Sequence, residues 1–223
     1  MPRTARASVG GVCYHVMNRG NGREQVFHDD DDYAAFLNLL DRACRRRPMR
    51  VLAWCLMPNH FHLVLWPHSD GDLGRWMQWL LTSHVRRHHK RRGTGGHIWQ
   101  GRFKAFPIQE DSHLLTVLRY VERNPVRAKL VRRAEAWPWS SAAARWVRSG
   151  RPEFLTESPV PLPRPWSRWV NTALTEKELA AVRQSVVRGS PWGDVDWATA
   201  AARRLGLEFT LRPRGRPRNE AEK

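Results

Sequence analysis

The chain has 223 residues and a formal net charge of +17, from 38 basic and 21 acidic side chains, and such a charge is typical of proteins that bind polyanions. A mean hydropathy of −0.61 and the lack of any apolar run near about 20 residues argue against a membrane span. The three cysteines form no Cys-x-x-Cys pair and the first residues lack the apolar core of a signal peptide, which argues against a disulfide scaffold, a zinc finger and secretion.

Strand-like and helix-like segments alternate through the first half of the chain. The strands are short apolar or alternating runs bounded by turn residues, and the helices carry apolar residues at a spacing of three or four. Their order, β-α-β-β-α-β-α, predicts an α+β fold: a ferredoxin-like sandwich with an antiparallel sheet and helices on one face. We predict strands over residues 12–18, 50–57, 60–66 and 102–109, and helices over 33–46, 72–91 and from residue 112 onward.

Four consecutive aspartates, residues 29–32, stand at the start of the first predicted helix, and three arginines, residues 45–47, stand at its end. Charges placed in this way complement the helix dipole, which explains the acidic run without any ligand. A metal-binding cluster is the weaker interpretation, because adjacent carboxylates point in different directions.

The second half of the chain changes character. Residues 151–165 hold five prolines and predict an extended linker. Thr175 and Glu178 form a capping-box pattern at the start of a helix that ends near Arg188, and another short helix is expected over residues 194–205. These segments predict a small helical C-terminal extension.

Two histidines, His60 and His62, open the third predicted strand. Side chains alternate along a strand, so both imidazoles share one face with Cα atoms about 6.5 Å apart, close enough to converge on one cation. The alternative is a pair of polar residues on a solvated face of the sheet, and the spacing alone favours neither.

Tyr120 differs from the other two tyrosines of the chain. Tyr14 falls within a strand and Tyr33 on the apolar face of a helix, so packing explains both. Tyr120 lies at the flank of an apolar helical stripe, and Asn124 follows one turn later on the same side, although Pro125 favours an end or kink there. One helix thus offers a phenol and an amide oxygen together. The alternative is a boundary tyrosine that packs its ring and exposes its hydroxyl to water.

Together these residues resemble the single-tyrosine HUH transposases. His60-Phe61-His62 is similar to the HUH motif, two histidines around a hydrophobic residue, and Tyr-Val-Glu-Arg-Asn-Pro-Val-Arg-Ala at residues 120–128 is similar to the nucleophile helix. The flanking segments at residues 14–20, 57–60 and 99–104 also match. Trp-Pro-Trp-Ser-Ser at residues 137–141 and Leu-Arg-Pro-Arg-Gly-Arg-Pro at residues 211–217 resemble one branch of that superfamily, the REP-associated tyrosine transposases.

The resemblance implies a mechanism. Tyr120 would be the nucleophile, and His60, His62 and Asn124 would hold Mg²⁺ or Mn²⁺, with Asn124 standing where mobile relatives often have glutamine. The product would be a 5′-phosphotyrosyl enzyme and a free 3′-hydroxyl, so that strands rejoin without a nucleotide cofactor. The sequence agrees, because it contains no Gly-x-x-x-x-Gly-Lys-Ser/Thr phosphate loop.

The resemblance also divides the chain and implies its partners. Residues 1–132 would form the catalytic domain, residues 133–165 a connecting helix and proline-rich linker, and residues 166–223 a helical extension with a basic Arg-Gly-Arg-Pro tail. The expected substrate is single-stranded or hairpin DNA, such as a repetitive extragenic palindrome. We expect a monomer or homodimer in the cytoplasm, associated with the nucleoid and not with a membrane.

Basic and aromatic residues along the chain are candidate DNA contacts. Trp99, close to glycines, suits stacking on an unpaired base, and the arginines and lysines suit phosphate contacts. A solvated basic side chain, or a disordered basic tail for the last two, is the alternative. The candidates are Arg3, Arg6, Arg19, Arg86, Arg87, Lys90, Trp99, Arg102, Lys104, Arg123, Arg127, Arg214 and Arg216.

Two other functions remain open. A non-catalytic, sequence-specific DNA-binding protein would keep the fold without the chemistry. An HUH replication initiator or relaxase would use the same chemistry. However, relaxases normally place the tyrosine before the histidines, and initiators often have lysine one turn after the tyrosine.

Overall fold

The computed structural model describes residues 8–147 and 150–212, so the candidates Arg3, Arg6, Arg214 and Arg216 lie outside the described residues. No helix in the described ranges is long and apolar enough to cross a membrane. The strands are β1 (Cys13–Arg19), β2 (Met49–Met57), β3 (His60–Pro67) and β4 (Lys104–Ile108). The helices are α1 (Asp30–Arg46), α2 (Asp72–Arg92), α3 (Ser112–Glu122), α4 (Asn124–Arg127), α5 (Ser141–Trp146), α6 (Trp166–Asn171), α7 (Glu176–Arg188) and α8 (Val195–Leu205).

The four strands form one antiparallel sheet in the order β2-β3-β1-β4. With β1 and β3 in the centre, this is the ferredoxin-like arrangement, and the predicted fold is confirmed. The strand bounds differ from prediction mainly at β4, which begins at Lys104. Arg102, which the predicted range of 102–109 placed in the strand, lies in a bend before it.

Helices pack on both faces of the sheet, which corrects the prediction that they lie on one. α1 and α2 cover the face that carries Tyr14 and Phe61 and form the larger core with it. α3 and α7 cover the opposite face, where Leu118 and Val182 join Phe106 in a second core. Because strand side chains alternate, strands that are apolar at nearly every position are buried on both sides. The face beneath α3 is termed the site face.

Segments from the second half of the chain cover both edges of the sheet. The Thr156 amide donates to the Val51 carbonyl of β2 at 2.9 Å, and the Trp192 amide donates to the Pro107 carbonyl of β4 at 2.9 Å. The proline-rich segment, residues 151–165, therefore packs against the sheet instead of spacing two separate bodies. Covering an edge strand also removes a surface on which another chain could pair.

The aspartates at the start of α1 both cap that helix and hold the end of α2. The Asp29 carboxylate accepts a hydrogen bond from the Asp32 amide, as an N-cap does. Arg91 and Arg92 form ion pairs with Asp29 and Asp32 at 2.6–3.1 Å. The two arginines are thus occupied by contacts within the protein, and the acidic run serves the fold.

Candidate active site

Three histidines meet on the site face, in β1 and β3. In the antiparallel register His60 lies opposite Arg19, and His62 lies opposite Met17. The ring centroids of His60 and His62 are 5.0 Å apart, as their shared face predicts. His15, two positions before Met17 in β1, becomes a diagonal neighbour of His62, and His15 Nε2 lies 2.8 Å from His62 Nδ1. The sequence alone does not indicate His15, because only the register between strands places it there.

Each candidate ligand imidazole has one nitrogen held and one nitrogen free. His60 Nδ1 lies 2.7 Å from Asn59 Oδ1, an acceptor, so Nδ1 carries the proton. His62 Nδ1 is hydrogen-bonded to His15. Within residues 8–147 and 150–212 neither Nε2 has a hydrogen-bond partner, and both side chains line one cavity. This is the way proteins orient imidazole ligands toward a cation.

Burial keeps these imidazoles neutral. Burial, followed by the positive charges of Arg19 and Arg127, lowers the pKa of His60 to about 4. Burial, followed by the neighbouring His15 and His60, lowers the pKa of His62 well below its usual range. Neutral imidazole is the form that binds a metal ion, so the pair is ready to do so at neutral pH.

Tyr120 extends from α3 into this cluster. Its ring centroid lies 5.7 Å from that of His62, with the rings nearly perpendicular. Only 4% of Tyr120 is exposed, less than its flank position predicts, because the rings of His15 and His62 and the guanidinium of Arg127 pack against it. Tyr14 and Tyr33 are buried in the opposite core, as predicted, and burial raises the pKa of both hydroxyls. Tyr120 is therefore the tyrosine that adjoins the histidines.

Asn124 keeps its place one turn after Tyr120, although α3 ends two residues earlier. Arg123 joins α3 to α4 with φ −85° and ψ −1°, and Pro125 stands in the first turn of α4, where proline is tolerated. Asn124 Oδ1 accepts a hydrogen bond from Arg127 Nη2 at 2.8 Å, and the residue is 3% exposed. The structure therefore places Asn124 behind Arg127 and not in the cavity lining with the histidines.

Glu122 anchors the tyrosine helix to the second half of the chain. Its fully buried carboxylate accepts hydrogen bonds from Ser141, Arg145 and Trp166 at 2.6–2.9 Å. These donors belong to α5 and α6, so the residue two positions after Tyr120 is fixed from two sides. The sequence alone does not indicate this role of Glu122, because its partners lie 19 to 44 residues away and only the fold brings them together.

His60, His62 and Tyr120 open into a cavity of about 620 Å³. α7 forms one wall with Arg183, and the capping box predicted at its start is present. The cavity is also lined by Arg183, Asn18 and Gln100. The sequence alone does not indicate these three residues, because packing between distant segments brings them together. The predicted residues that line it are Arg19, His60, His62, Arg102, Lys104, Tyr120 and Arg127.

Two candidate DNA contacts are turned away from the cavity. Trp99 is 6% exposed and packs against Phe27, Phe61 and His84 in the core beneath α2, so its indole is not placed to stack on a base. Its position next to glycines suggested exposure, but the backbone there pairs with the end of β1 and buries the ring. Arg123 donates from Nε to the Asn171 carbonyl and faces α6.

Three further candidates lie on α2, on the face of the sheet opposite Tyr120. Arg86 lines a separate cavity between α1 and α2. Arg87 donates to the Asp31 carbonyl at 3.3 Å, and Lys90 is exposed. The structure does not bring these residues to the histidines, so a phosphate contact there would involve another stretch of DNA.

The family model described as "Transposase IS200 like" matches residues 8–124, a range that contains His60, His62, Tyr120 and Asn124. The chain belongs to the IS200-like transposase family. α5 and α6, which anchor Glu122, and α7, which forms a wall of the cavity, follow the matched range.

Two similar proteins are REP-associated tyrosine transposases. The Escherichia coli protein is 26% identical over 135 residues, which cover 59% of this chain and 76% of that protein. A Haemophilus influenzae protein assigned to the same group is 30% identical over 118 residues, which cover 48% of this chain and 66% of that protein, just under two thirds. A solved structure of a REP-associated tyrosine transposase bound to a REP hairpin matches the fold with a TM-score of 0.53, at 23% identity over 63% of this chain and 82% of that one.

The resemblance implies that His60, His62 and Asn124 of this IS200-like transposase hold a divalent cation. In the described part of the chain no group of three His, Cys, Asp or Glu side chains is placed to hold a metal ion, so the amide of Asn124 would have to complete the set. His60 and His62 fit, because both are neutral and each has a free nitrogen. Asn124 fits once its oxygen is released from Arg127, because its Nδ2 is buried and has no hydrogen-bond partner among the residues that the structure describes.

Proposed function

We propose that this IS200-like transposase nicks and rejoins single-stranded or hairpin DNA through a covalent bond between Tyr120 and a 5′-phosphate. The observation that carries the proposal is the position of Tyr120, whose ring lies 5.7 Å from that of His62 in a cavity with a basic lining. The similar proteins are REP-associated tyrosine transposases, and one was solved with a REP hairpin. That likeness supports palindromic DNA as the substrate class.

The reaction exchanges one phosphoester bond for another. The Tyr120 oxygen attacks the scissile phosphorus as it loses its proton, the bond from phosphorus to the 3′-oxygen breaks, and that oxygen takes up a proton. A 5′-phosphotyrosine and a free 3′-hydroxyl result. The phosphotyrosine keeps the phosphodiester energy, so a 3′-hydroxyl of another strand end can attack it and restore Tyr120 without a nucleotide cofactor.

The side chains around Tyr120 bind the cation and the strand. His60, His62 and Asn124 would hold Mg²⁺ or Mn²⁺, and the two imidazoles suit Mn²⁺ somewhat better. When bound, the cation would polarise a non-bridging oxygen of the scissile phosphate. Arg19 and Lys104 on the site face place positive charge where the strand would enter.

The site is built within one chain, which supports action by a monomer. α3 supplies Tyr120, β3 supplies both histidines, and α7 supplies a wall of the same cavity. A homodimer that exchanged the tyrosine helix would have to break the contacts of Glu122 with α5 and α6.

A hairpin oligonucleotide taken from the DNA beside the gene, with a different label at each end, tests this function. With Mn²⁺ we expect the 3′ segment to become attached to the protein through its 5′-phosphate, and the other segment to leave with a free 3′-hydroxyl. His62→Ala should form no adduct, whereas Arg45→Ala should form it normally, because Arg45 is exposed on α1 across the sheet.

Three outcomes would contradict the proposal. Adduct formation that continues undiminished in EDTA would exclude a role for the metal ion in the reaction. Attachment through a 3′-phosphate would reverse the proposed polarity. Tight hairpin binding with no adduct would indicate the non-catalytic DNA-binding protein instead.

A further inference from the structure

Arg127 bridges the proposed nucleophile and the proposed third ligand. Its Nη2 donates a hydrogen bond to Asn124 Oδ1 at 2.8 Å, and its guanidinium carbon lies 4.3 Å from the centre of the Tyr120 ring. Arg127 lines the cavity together with His60 and His62, whereas Asn124 does not. The guanidinium therefore occupies the cavity side of the amide, where a cation shared with the histidines would have to bind.

The bond between Arg127 and Asn124 leaves polar groups poorly satisfied on both sides. Asn124 Nδ2 is buried and has no hydrogen-bond partner among residues 8–147 and 150–212. Arg127 has no carboxylate partner in the described ranges, although ion pairs hold other arginines of the chain, such as Arg91 and Arg92. A neutral amide is a weaker acceptor for a guanidinium than a carboxylate or a phosphate. The arrangement thus favours exchange as soon as an anion enters the cavity.

The positive charge of Arg127 also acts on the cation site directly. Its guanidinium shares one cavity lining with His60 and His62. A divalent cation between the histidines would feel the same repulsion, because like charges that share a poorly solvated site oppose each other. Without DNA, Arg127 therefore opposes the cation both by its charge and by its hold on Asn124.

We propose that Arg127 is a latch on the third ligand: it holds Asn124 in the DNA-free protein, and a phosphate of the bound strand draws the guanidinium away and frees Asn124 Oδ1 for the cation. This inference rests on the proposed function and adds to it the order in which DNA and the cation bind. Cation and DNA would bind cooperatively, and because such coupling is reciprocal, the cation would also tighten DNA binding. Tyr120 would lose its cationic neighbour at the same moment.

Mn²⁺ binding to the full chain, followed by electron paramagnetic resonance, tests the latch without relying on activity. All proteins carry Tyr120→Phe, which keeps the ring and prevents cleavage, and each is titrated with and without a saturating hairpin oligonucleotide. The variant Arg127→Met keeps an unbranched side chain against the ring while removing the charge and the donor. Arg123→Met is the matched control, because Arg123 faces α6. Thermal unfolding verifies that each variant is folded.

We expect DNA to tighten Mn²⁺ binding to the parent about tenfold or more, within the usual range of coupling between sites. Arg127→Met should bind Mn²⁺ about tenfold more tightly than the parent without DNA, and the gain from DNA should shrink. Arg123→Met should behave as the parent does. If Arg127→Met binds Mn²⁺ no more tightly than the parent without DNA, the latch is overturned while the proposed function stands. If adding His62→Ala leaves Mn²⁺ binding unchanged in every one of these proteins, the metal site of the proposed function fails instead.

Discussion

His15 Nε2 lies 2.8 Å from His62 Nδ1, across the central strands β1 and β3. Both rings are buried, and His15 is itself held by the ring of Phe106, with centroids 4.8 Å apart. The hydrogen bond leaves His62 Nε2 as the free nitrogen and fixes the orientation of the ring. His15 thus orients the imidazole that is proposed to bind the cation, although it lies in neither the His60–His62 motif nor the segment of residues 120–128.

Replacing His15 by phenylalanine keeps an aromatic ring and removes the hydrogen bond. Loss of such a partner typically costs 10–100-fold in metal affinity, so we expect His15→Phe to weaken Mn²⁺ binding by about 10–100-fold. Electron paramagnetic resonance titration measures the change. His84→Phe, which removes a buried histidine from the opposite core, is the control and should leave Mn²⁺ affinity unaltered. Equal losses in both variants would show a general effect of core changes.

The buried carboxylate of Glu122 should be one of the most sensitive positions for stability. Glu122→Ala leaves the guanidinium of Arg145, whose side chain is 9% exposed, without its ion pair. Breaking a buried pair costs about 3–5 kcal/mol, and we expect urea unfolding to show a loss of that order. The control Asp41→Ala removes an exposed pair with Arg45 and should cost less than about 1 kcal/mol. Similar losses in the two variants would contradict the anchoring role.

Buried histidines should make the folded chain sensitive to mild acid. Burial lowers the pKa of His15 and His84 to about 3 and that of His60 to about 4, whereas unfolded histidine titrates near about 6.5. As the pH falls below about 6.5 the unfolded chain takes up protons that the folded chain does not, so folding free energy is lost. Each such histidine contributes a slope of up to about 1.4 kcal/mol per pH unit.

Urea unfolding at about pH 7, 6 and 5 measures this slope, because ordinary carboxylates stay ionised over that range. His84→Leu should reduce the slope by the share of one histidine. An unfolding free energy that is flat between about pH 7 and 5 would contradict the neutral, buried state of these side chains.

The sequence was sufficient for features that depend on local patterns. Strand and helix order predicted the ferredoxin-like sheet, and the alternation of β3 placed His60 and His62 on one face. Tyr120 was singled out by its flank position on a helix. The sheet and the shared face of the two histidines are confirmed, because each rests on periodicity within single elements, which the fold preserves. The role of Tyr120 stays a prediction.

The sequence was insufficient where contacts span the chain. His15 joins the site only through the register of β1 with β3, and Glu122 finds its partners in α5 and α6. Trp99 was misjudged, because neighbouring glycines suggested exposure while the segment pairs with β1 and buries the indole. The helices on the second face of the sheet were not predicted, because the apolar run of β2 is compatible with a sheet that is covered on one face or on both.

Hairpin binding should weaken steeply with salt, since basic residues line the cavity. If about six phosphates are contacted, the logarithm of the binding constant should fall with a slope of roughly −4 to −5 against the logarithm of salt concentration. Lys104, exposed at the cavity, should account for somewhat less than one unit of that slope, so Lys104→Ala makes it shallower. Arg45→Ala on α1 should leave it unchanged. A flat salt response, or tighter binding to a perfect duplex, would contradict this surface.

The central claim is that Tyr120 carries the DNA during the reaction, and the most direct measurement is to identify the residue in the adduct. Digestion of the protein–oligonucleotide adduct and mass spectrometry should place the nucleotide on Tyr120. Tyr120→Phe should form no adduct yet keep hairpin binding, because phenylalanine retains the ring that packs against Arg127 and His62. Tyr33→Phe, altered in the opposite core, should form the adduct normally. A nucleotide on Tyr14 or Tyr33, or an adduct formed by Tyr120→Phe, would contradict the account.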